Sequence, residues 1–303
     1  MRRPLPTIRR ILRQAGSTLV DMSDSANLYL TPTQGRLYEG VLADSVYQKA
    51  VAGPLAEVGN GLATLLESVA STETDEPFTI IDCGPGTAEE SVRKLRSLRG
   101  VVSVRRYVAV DVNSRLLSKV KTGVVAELGF PVSTIQKRFE ELDSHSVREH
   151  AEGKVLLLFG STCMNYEHSE LIRLIRGLSF PGMLISMESM LRAREPFSSI
   201  EYESDAVIRF AFGPLGLLEA ALEHFDFRSI AANGRVRLEF IAKRSLRLRH
   251  PKIPALRPGD RVWTAFSRRP TLLEYQQEIS QIAARFDTFV LENRVAASLG
   301  QVV

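Results

Sequence analysis

The sequence predicts an α/β protein built around a parallel β-sheet with helices on both faces. Two observations lead to this fold class. From residue 78 to residue 188, short apolar runs of strand length alternate with segments whose apolar residues recur at helical spacing. The first run, 78–82, passes through the glycine turn 83–87 directly into helix-like sequence at Ala88.

Each element of this region follows from its local pattern. The strands are near-continuous apolar runs, which indicates burial on both faces of the sheet. The helices are longer and carry apolar residues three or four positions apart. Strands are predicted at 78–82, 107–111, 132–136, 154–159 and 183–188, and helices at 54–69, 88–98, 113–128, 140–150 and 168–178.

The pattern changes in the last third of the chain. Here the dipeptide Asn233-Gly234 stands between two apolar runs and predicts a β-hairpin. The other elements expected are a helical segment at 197–224, hairpin strands at 226–232 and 235–242, a strand at 262–267, a helix at 272–285, and a strand pair at 288–293 and 298–303 that completes the sheet.

The composition is that of a globular protein with a sizeable core, since 44% of the 303 residues are hydrophobic and 24% are charged. No apolar run is long enough to span a bilayer, so no membrane partner is expected. The basic N-terminus lacks the apolar stretch of a signal peptide, and residues 1–19 are predicted to form a basic arm or helix, with a transit peptide as the alternative. Cys83 and Cys163 are too few for a disulfide framework and fit a cytoplasmic location.

The net charge of +4 does not identify a partner. The basic residues concentrate at 2–13 and 243–269, and neither stretch carries a recognised nucleic-acid-binding motif. The five histidines show no spacing typical of metal ligands, so no metal site is predicted. A small-molecule partner is therefore expected, with nucleic acid as the less favoured alternative.

The glycine turn is the first candidate binding feature. A turn of this kind at the start of a helix presents backbone N–H groups to a ligand. Glu89 stands where a dinucleotide fingerprint would have its third glycine, which weakens that interpretation. Asp82 precedes the turn, and Asp111 ends the next strand, where a carboxylate can accept both ribose hydroxyls of a nucleotide. An ordinary helix cap is the alternative.

A second cluster of polar residues follows the strand at 154–159. Gly160 allows a ligand to approach the backbone closely, and Ser161, Thr162 and Asn165 supply compact polar contacts. Ligands in parallel sheets bind at the carboxyl ends of the strands. Contact with a ligand is therefore expected, although the same residues could cap the helix that begins near His168.

Together these segments resemble the class I S-adenosylmethionine (SAM)-dependent methyltransferases. Within that class the sequence is similar to the histidine-specific type, which forms N-α-trimethylhistidine in ergothioneine biosynthesis. The resemblance covers residues 26–303 and implies a Rossmann-like seven-stranded sheet with a split α+β substrate-binding lid. It is carried by YLTPTQGRLYE (29–39), IIDCGPGTAEES (80–91), YVAVDV (107–112), LLLFGSTCMNY (156–166), IEYESDA (200–206) and RPGDRVWTAFS (257–267).

The resemblance also implies a division into segments. The methyltransferase core would be interrupted by the substrate-binding domain, whose two parts are far apart in sequence. The expected segments are a basic arm at 1–19, the substrate-binding domain at 20–60 and 191–270, and the SAM-binding core at 61–190 and 271–303.

The family pattern assigns cofactor roles to residues of the core. Gly84 and Gly86 would cradle the methionine part of SAM, Asp111 would hold the ribose, and Thr162 would lie beside the sulfonium. The full set of cofactor-binding residues implied is Asp82, Gly84, Gly86, Thr87, Asp111, Val112, Gly160 and Thr162.

The same pattern assigns substrate roles. Asn165, Tyr47 and Tyr202 match positions that hold the amino and carboxylate groups of the amino acid. Tyr29 matches a tyrosine near the reacting amine and is the candidate catalytic residue, as a proton acceptor. For each tyrosine, a core position with a satisfied hydroxyl is the alternative.

The departures from the family pattern concern the substrate. Histidine-methylating relatives carry a glutamate and a serine that bond the imidazole; here the serine is Ser267, but the glutamate position is Ala265. Alternation along 262–267 predicts that Trp263, Ala265 and Ser267 share one face. The neighbouring methionine position is Phe240, so Phe240, Ala265 and Ser267 are predicted to contact the substrate side chain. Losing the carboxylate removes a charge-assisted partner for imidazole.

The sequence therefore predicts an N-methyltransferase for a free amino acid other than histidine, or a close derivative, acting as a monomer or homodimer. Histidine N-α-methylation stays open, as does methylation of a guanidino acid if one of four acidic residues reaches the pocket. A non-catalytic SAM-binding partner subunit and a nucleic-acid methyltransferase are the remaining alternatives. The four acidic residues are Glu188, Glu201, Glu203 and Asp205.

A further departure from the family pattern concerns the adenine position of the cofactor site. Arg138, a basic residue, stands where the family has an acid.

Overall fold

A computed structural model describes residues 5–14, 16–69, 76–193, 197–217, 219–248 and 250–302. The strands are β1 (Arg10–Gln14), β2 (Ser17–Asp21), β3 (Phe78–Cys83), β4 (Val104–Asp111), β5 (Val132–Gln136), β6 (Lys154–Gly160), β7 (Leu184–Met190), β8 (Phe225–Ala232), β9 (Arg235–Ala242), β10 (Arg261–Arg268), β11 (Arg285–Leu291) and β12 (Val295–Gln301). The α-helices are α1 (Pro32–Ala43), α2 (Ser45–Tyr47), α3 (Gly53–Asn60), α4 (Leu62–Val69), α5 (Ala88–Arg99), α6 (Ser114–Leu128), α7 (Ser144–His150), α8 (His168–Leu178), α9 (Asp205–Phe212) and α10 (Leu272–Ser280).

The chain divides into two compact units. Unit 1 consists of Met1–Val51 and Arg194–Arg268, and unit 2 consists of Ala52–Ala193 and Arg269–Val303. Each unit is therefore assembled from two segments that are far apart in the sequence, and each has its own β-sheet.

Unit 2 contains a seven-stranded sheet with the order β11-β12-β7-β6-β3-β4-β5. The five strands from β7 to β5 are parallel to one another. Only β12, among these seven strands, runs antiparallel to both of its neighbours. The predicted α/β class is confirmed, and the carboxyl ends of β3, β4 and β6 meet at one edge of the sheet.

The central strands form where the sequence is apolar on both faces. Every residue of β3 and of β7 is buried, and so are six of the seven residues of β6. The covering helices bury one face each; in α8 the buried residues are Leu171, Ile172, Ile175 and Leu178, which recur at helical spacing. Their packing against the sheet fixes the loops at the carboxyl edge.

Several predicted boundaries in unit 2 are wrong. The helix expected at 54–69 is two helices, α3 and α4, because the chain turns at Gly61. The helix expected at 140–150 begins only at Ser144, after a 3₁₀ turn at Phe139–Glu141, and α10 stops at Ser280 instead of continuing to 285. The last two strands begin three residues earlier than predicted, because the chain reverses at Glu292 and Asn293, which both have positive φ.

Unit 1 contains a five-stranded sheet with the order β1-β2-β10-β9-β8. The hairpin between β8 and β9 is confirmed: Asn233 and Gly234 have φ values of 52° and 66°, as a two-residue type I′ turn requires. The β2–β10 pair is parallel, and the other pairs are antiparallel.

The basic arm or helix predicted at the N-terminus is wrong for the described residues. Residues 10–14 and 17–21 form the strands β1 and β2, which turn at Gly16 with a φ of +83°. Leu19 and Val20 are buried where β2 pairs with β10, so a distant strand stabilises this conformation. Residues 1–4 lie outside the described part of the chain.

The long helical segment predicted at 197–224 is also shorter than expected. In its described part only α9 is α-helical, and three 3₁₀ turns flank it. Pro214 follows the helix and Gly216 adopts a left-handed conformation, and both prevent α9 from continuing. Residues 194–196 and 218 are outside the described part.

A β-bulge in β10 changes which residues share a face. Trp263 pairs with Glu239, but Ala265 pairs with Leu238, so one extra residue lies between the two pairs. Directly paired residues have side chains on the same face, and consecutive residues of β9 face opposite ways. The prediction that Trp263 and Ala265 share a face is therefore wrong, whereas Ala265 and Ser267 do share one.

The hydrophobic core of unit 1 lies on the face of the sheet that carries Ala265. The helix α9 and the 3₁₀ turn Ser25–Leu28 pack against β10 on this side. The buried cluster includes Val20, Met22, Leu28, Val41, Tyr202, Val207, Phe210, Phe212, Phe225, Val236, Leu238, Phe240, Val262 and Ala265, with Tyr29, Tyr38 and Tyr47 packed at its margin.

Candidate active site

The glycine turn after β3 has a backbone that only glycine adopts without strain. Gly84 and Gly86 have φ values of +78° and +73°. A Cβ on Gly84 would collide with the Thr162 hydroxyl, and a Cβ on Gly86 would collide with the Glu90 carboxylate. Both positions therefore require glycine, and the Gly84 N–H donates to the Val110 carbonyl at 2.9 Å.

Asp82 is almost completely buried beneath this turn, with 1% of its surface exposed. Its Oδ2 accepts a 2.8 Å hydrogen bond from the Tyr107 hydroxyl, which also lies 3.1 Å from the Ser91 hydroxyl. Burial and the Asp82 charge raise the pKa of Tyr107 well above its ordinary value, so the phenol stays protonated and can donate. The other carboxylate oxygen, Oδ1, has no hydrogen-bond partner among the described residues.

Asp111 ends β4 at the same edge of the sheet. Its Oδ1 accepts a 2.7 Å hydrogen bond from the Asn113 backbone N–H, and the Asn113 side chain caps α6. Burial raises the pKa of Asp111 from 3.8 to about 6 despite this hydrogen bond. A carboxylate that is buried and yet mostly ionised at neutral pH is suited to accept hydrogen bonds from ribose hydroxyls.

Thr87 and Val112 follow these two acids in the sequence, and both take part in hydrogen bonds within the protein. Thr87 caps α5: its hydroxyl accepts from the Glu90 N–H at 3.3 Å, and its own N–H donates to the Glu90 carboxylate at 2.8 Å. The Val112 carbonyl accepts a 3.2 Å hydrogen bond from the Gln136 side chain. Their predicted contacts with the cofactor stay predictions.

The end of β6 completes this edge of the sheet. Gly160 has φ +46° and ψ −146°, and a 3₁₀ turn at Ser161–Asn165 follows it. Thr162 lies against Gly84, as described, and the Cys163 thiol donates to the Glu188 carbonyl at 3.0 Å. Asn165 is partly exposed. The structure thus places Thr162 against Gly84, and the cofactor contacts predicted for Gly84, Gly160 and Thr162 stay predictions.

Three residues at this edge were not predicted as cofactor-site residues. The Phe139 ring lies 3.6 Å from the position of a Cβ on Gly84, and the Lys94 ammonium and the Glu188 carboxylate lie beside Gly160. Phe139 could have been found as the first aromatic residue after the strand 132–136. Lys94 gives no such signal, because it lies in the middle of an amphipathic helix. Arg138, the basic residue noted at the adenine position, directly precedes Phe139.

These residues fit SAM as a cofactor. Asp111 offers a carboxylate that can accept hydrogen bonds from ribose hydroxyls, and Asp82 keeps an unpaired buried oxygen that a ligand donor can satisfy. When bound, SAM supplies an electrophilic methyl group on its sulfonium.

The substrate residues predicted from the family pattern are mostly in unit 1. The Tyr29 ring packs edge-on against Tyr38 and Phe210, with centroid distances of 5.3 and 5.4 Å. Tyr47 packs edge-on against Tyr202 at 6.1 Å. All these rings contact the same hydrophobic cluster, whereas Asn165 belongs to unit 2.

Phe240 does not present a surface to a substrate. Its side chain is fully buried and contacts the rings of Phe212, Phe225 and Phe227 at 5.2 to 6.1 Å. The prediction that Phe240 lines the substrate pocket is corrected to a core-packing role. Ala265 is also buried, with 8% of its surface exposed to solvent.

A family model confirms the interpretation of unit 2. The model described as "Histidine-specific methyltransferase, SAM-dependent" matches residues 62–192. The protein is a SAM-dependent methyltransferase. The predicted class and cofactor are confirmed. The matched residues all lie within unit 2, so the match does not include Tyr29, Tyr47, Tyr202 or Ala265.

Several solved structures are similar to this chain at low sequence identity. The SeMet-substituted CurJ carbon methyltransferase superposes with a TM-score of 0.50 at 12% identity, covering 91% of this chain and 61% of that chain. PH0226 from Pyrococcus horikoshii OT3 has a TM-score of 0.43 at 11% identity, covering 82% and 90%. The DhpI-SAH complex has 0.42 at 9% identity, covering 89% and 96%. No curated protein sequence matches the methyltransferase.

No helix in the described ranges of the methyltransferase is long and apolar enough to cross a membrane.

Proposed function

We propose that this methyltransferase transfers a methyl group to a nitrogen of a free amino acid other than histidine, or of a close derivative. The observation that carries the proposal is the environment of Ala265. It occupies the position where the histidine-methylating pattern has a glutamate, and it faces the hydrophobic core opposite Leu238.

Among the described residues of β8, β9 and β10 that share a face with Ala265, none is an acid that could pair with an imidazole, and the Glu203 carboxylate that reaches this face already accepts from the Ser229 hydroxyl. Ser267 lies on this face opposite Val236. Glu239 lies on the other face, where it accepts a 2.9 Å hydrogen bond from the Trp263 indole. Because an imidazole N–H left unpaired in such a pocket costs binding energy, histidine should be a poor substrate.

The tyrosines of unit 1 support recognition of the amino-acid end. Tyr29, Tyr47 and Tyr202 place hydroxyl-bearing rings on one cluster, and rings packed edge-on hold their orientation. Such hydroxyls can bind amino and carboxylate groups. In this proposal Tyr29 accepts the proton released from the ammonium, and the other two rings orient the amine and exclude water.

Two of the four acidic residues named for the guanidino alternative, Glu188 and Glu203, give it little support. Glu188 is buried in unit 2, and Glu203 accepts a hydrogen bond from the Ser229 hydroxyl at 2.6 Å. A side chain without a strong positive charge, aromatic or otherwise bulky, fits the apolar surroundings of Ala265 better.

The test is a screen of the twenty free amino acids with methyl-labelled SAM, followed by mass spectrometry of each product. We expect N-methylation of one or a few bulky amino acids and a much lower rate with histidine. Histidine as the best substrate, or label found only in RNA or protein when these are added, would contradict the proposal.

A further inference from the structure

The face of the unit 1 sheet that lies opposite Ala265 carries charged residues around a tryptophan. Directly paired residues of neighbouring strands share a face, so the pairing defines one row across all five strands. This row consists of Arg10, Asp21, Trp263, Glu239 and Arg228. We call this side of the sheet, which faces away from the core of unit 1, the outer face.

The indole ring of Trp263 holds two arginine heads in place. The guanidinium carbons of Arg10 and Arg237 lie 5.6 and 4.9 Å from the ring centroid. The indole N–H is itself fixed by a 2.9 Å hydrogen bond to Glu239. A guanidinium held over a ring loses little further freedom when it binds an anion, and its planar fork matches a carboxylate.

The acids of the row are buried and already bound, whereas the arginine heads reach the surface. Asp21 accepts a 3.1 Å hydrogen bond from Arg10, and both Asp21 and Glu239 have less than 5% of their surface exposed. The Glu239 carboxylate lies 3.6 Å from the Arg261 guanidinium. By contrast, 52% of the Arg10 side chain is exposed, and Arg228 is also exposed. The solvent-facing layer of the row is therefore positive.

The neighbouring rows extend the positive charge. Together the five strands place six arginines and three acidic residues on the outer face. They are Arg10, Arg228, Arg235, Arg237, Arg261 and Arg268, and Asp21, Asp226 and Glu239. The third acid, Asp226, lies 3.6 Å from the Lys243 ammonium. The charge that this face offers to a partner is thus basic.

We propose that the outer face docks an acidic segment of a partner protein, whose carboxylates pair with the exposed arginines. Charge complementarity supports such a partner, and the rigid arginine heads reduce the entropic cost of binding it. The inference goes beyond the proposed function and does not depend on it, because none of these residues belongs to the cofactor or substrate site.

The geometry favours an acidic protein segment over nucleic acid. Five strands about 4.8 Å apart span roughly 19 Å, which is wider than the roughly 12 Å major groove of a duplex. Proteins that bind single strands stack bases on aromatic rings, but guanidinium groups already lie over the Trp263 ring. Asp21 and Glu239 also oppose a continuous chain of phosphates, whereas separated carboxylates can pair with individual arginines.

The experiment uses the fluorescence of Trp263, which is the only tryptophan in the sequence. The probe is a synthetic peptide of alternating glutamate and serine without aromatic residues, titrated into the full chain. We expect a saturable change in tryptophan emission. The affinity should fall as the ionic strength rises from about 0.05 to 0.3 M, because salt screens exposed charges.

Matched variants separate this face from basic residues elsewhere. The double variant Arg228→Gln/Arg237→Gln should bind the peptide about fivefold more weakly or worse. Arg148→Gln is the control, since Arg148 also lies over an aromatic ring, 4.6 Å from the Phe180 centroid, but in unit 2. It should leave peptide binding unchanged. Both variants should bind S-adenosylhomocysteine normally, which shows that they are folded.

Several outcomes would overturn the proposal. The first is tryptophan emission that the peptide does not change at low salt, and the second is equal weakening by Arg148→Gln and the double variant. Tighter binding of a single-stranded DNA oligonucleotide of the same charge would assign the face to nucleic acid instead. Sedimentation that shows dimers of the native chain, lost in the double variant, would assign it to a second copy of the chain.

Discussion

The Tyr107 hydroxyl on β4 donates a 2.8 Å hydrogen bond to Asp82 at the end of β3, and neither side chain is more than 1% exposed. This bond engages Oδ2 of the carboxylate, and the buried Oδ1 has no hydrogen-bond partner among the described residues. The bond links a core residue of the sheet to the cofactor site.

Removing this donor should affect both stability and binding. In Tyr107→Phe the buried Asp82 carboxylate loses its hydrogen bond from the Tyr107 hydroxyl. This loss should lower the free energy of unfolding by about 1–3 kcal/mol and weaken S-adenosylhomocysteine binding. Urea unfolding and calorimetry would measure the two effects. Tyr275→Phe is the matched control: its hydroxyl donates to the Met187 carbonyl at 2.7 Å, so it should lose stability without losing affinity. Equal affinity losses in both variants would argue against a specific role for Tyr107.

The glycine turn should not tolerate a side chain. Gly84→Ala introduces a Cβ against the Thr162 hydroxyl and forces a left-handed conformation that costs about 1–2 kcal/mol, so SAM binding should be lost. Gly129 at the end of α6 provides the comparison, because it has a φ of +71° but no atom within 4 Å of an added Cβ. Gly129→Ala should lower the unfolding free energy by a similar amount and bind S-adenosylhomocysteine normally. Normal binding by Gly84→Ala would show that the turn does not contact the cofactor.

Asp111 should make the stability of the ligand-free protein depend on pH. Its pKa is about 6 in the folded state and 3.8 in the unfolded reference, so the folded state binds the proton more tightly. The stabilisation by this proton is fully present below pH 4 and is lost as the pH rises through 6, a difference of roughly 3 kcal/mol. The difference in unfolding free energy between the native protein and Asp111→Asn, measured in urea from pH 4 to 8, isolates this contribution. A difference that does not vary with pH would contradict it.

The cofactor should show the opposite pH trend at the same residue. Ribose hydroxyls donate to the ionised carboxylate, so the affinity for S-adenosylhomocysteine should rise as the pH increases through 6. Calorimetry at pH 5 and pH 8 would measure it, and in Asp111→Asn this rise should be absent while the affinity is low throughout.

Placing a carboxylate at position 265 should shift the substrate preference towards histidine. Ala265→Glu returns a carboxylate to the face shared with Ser267, and we expect the ratio of kcat/KM for histidine to that for the native substrate to rise by about tenfold or more. Ala265→Gln has nearly the same shape without the charge and should raise the ratio less. The same change in both variants would indicate that pocket volume, and not the carboxylate, sets the preference.

Local signals made most of unit 2 predictable. The whole of β3 and the last five residues of β4 are buried, which explains their largely apolar sequences, and the glycines between β3 and α5 are required by positive φ values. Asp111 was found because it follows a strand, and its raised pKa comes from burial that the strand itself creates. In each case the physical cause lies within a few residues of the signal.

The predictions that were wrong depend on contacts between residues that are far apart in the sequence. The strand β2 is stabilised by pairing with β10, and Arg10 of β1 lies over the Trp263 ring, so a basic segment becomes part of a sheet. The bulge in β10 is visible only from its register with β9. The meeting of Lys94 with Glu188 requires the packing of a helix against the sheet, which no local pattern encodes.

The pairing of β2 with β10 also has a consequence for synthesis of the chain. Val20 and Val262 are partners in that pair, so the first strands to leave the ribosome reach their neighbour only after about 240 more residues have been added. At typical translation rates this delay is roughly ten seconds to a minute. During that interval Ala52–Ala193, which makes up most of unit 2, has already emerged, whereas the nascent N-terminal hairpin still exposes an open edge that other chains or chaperones can bind.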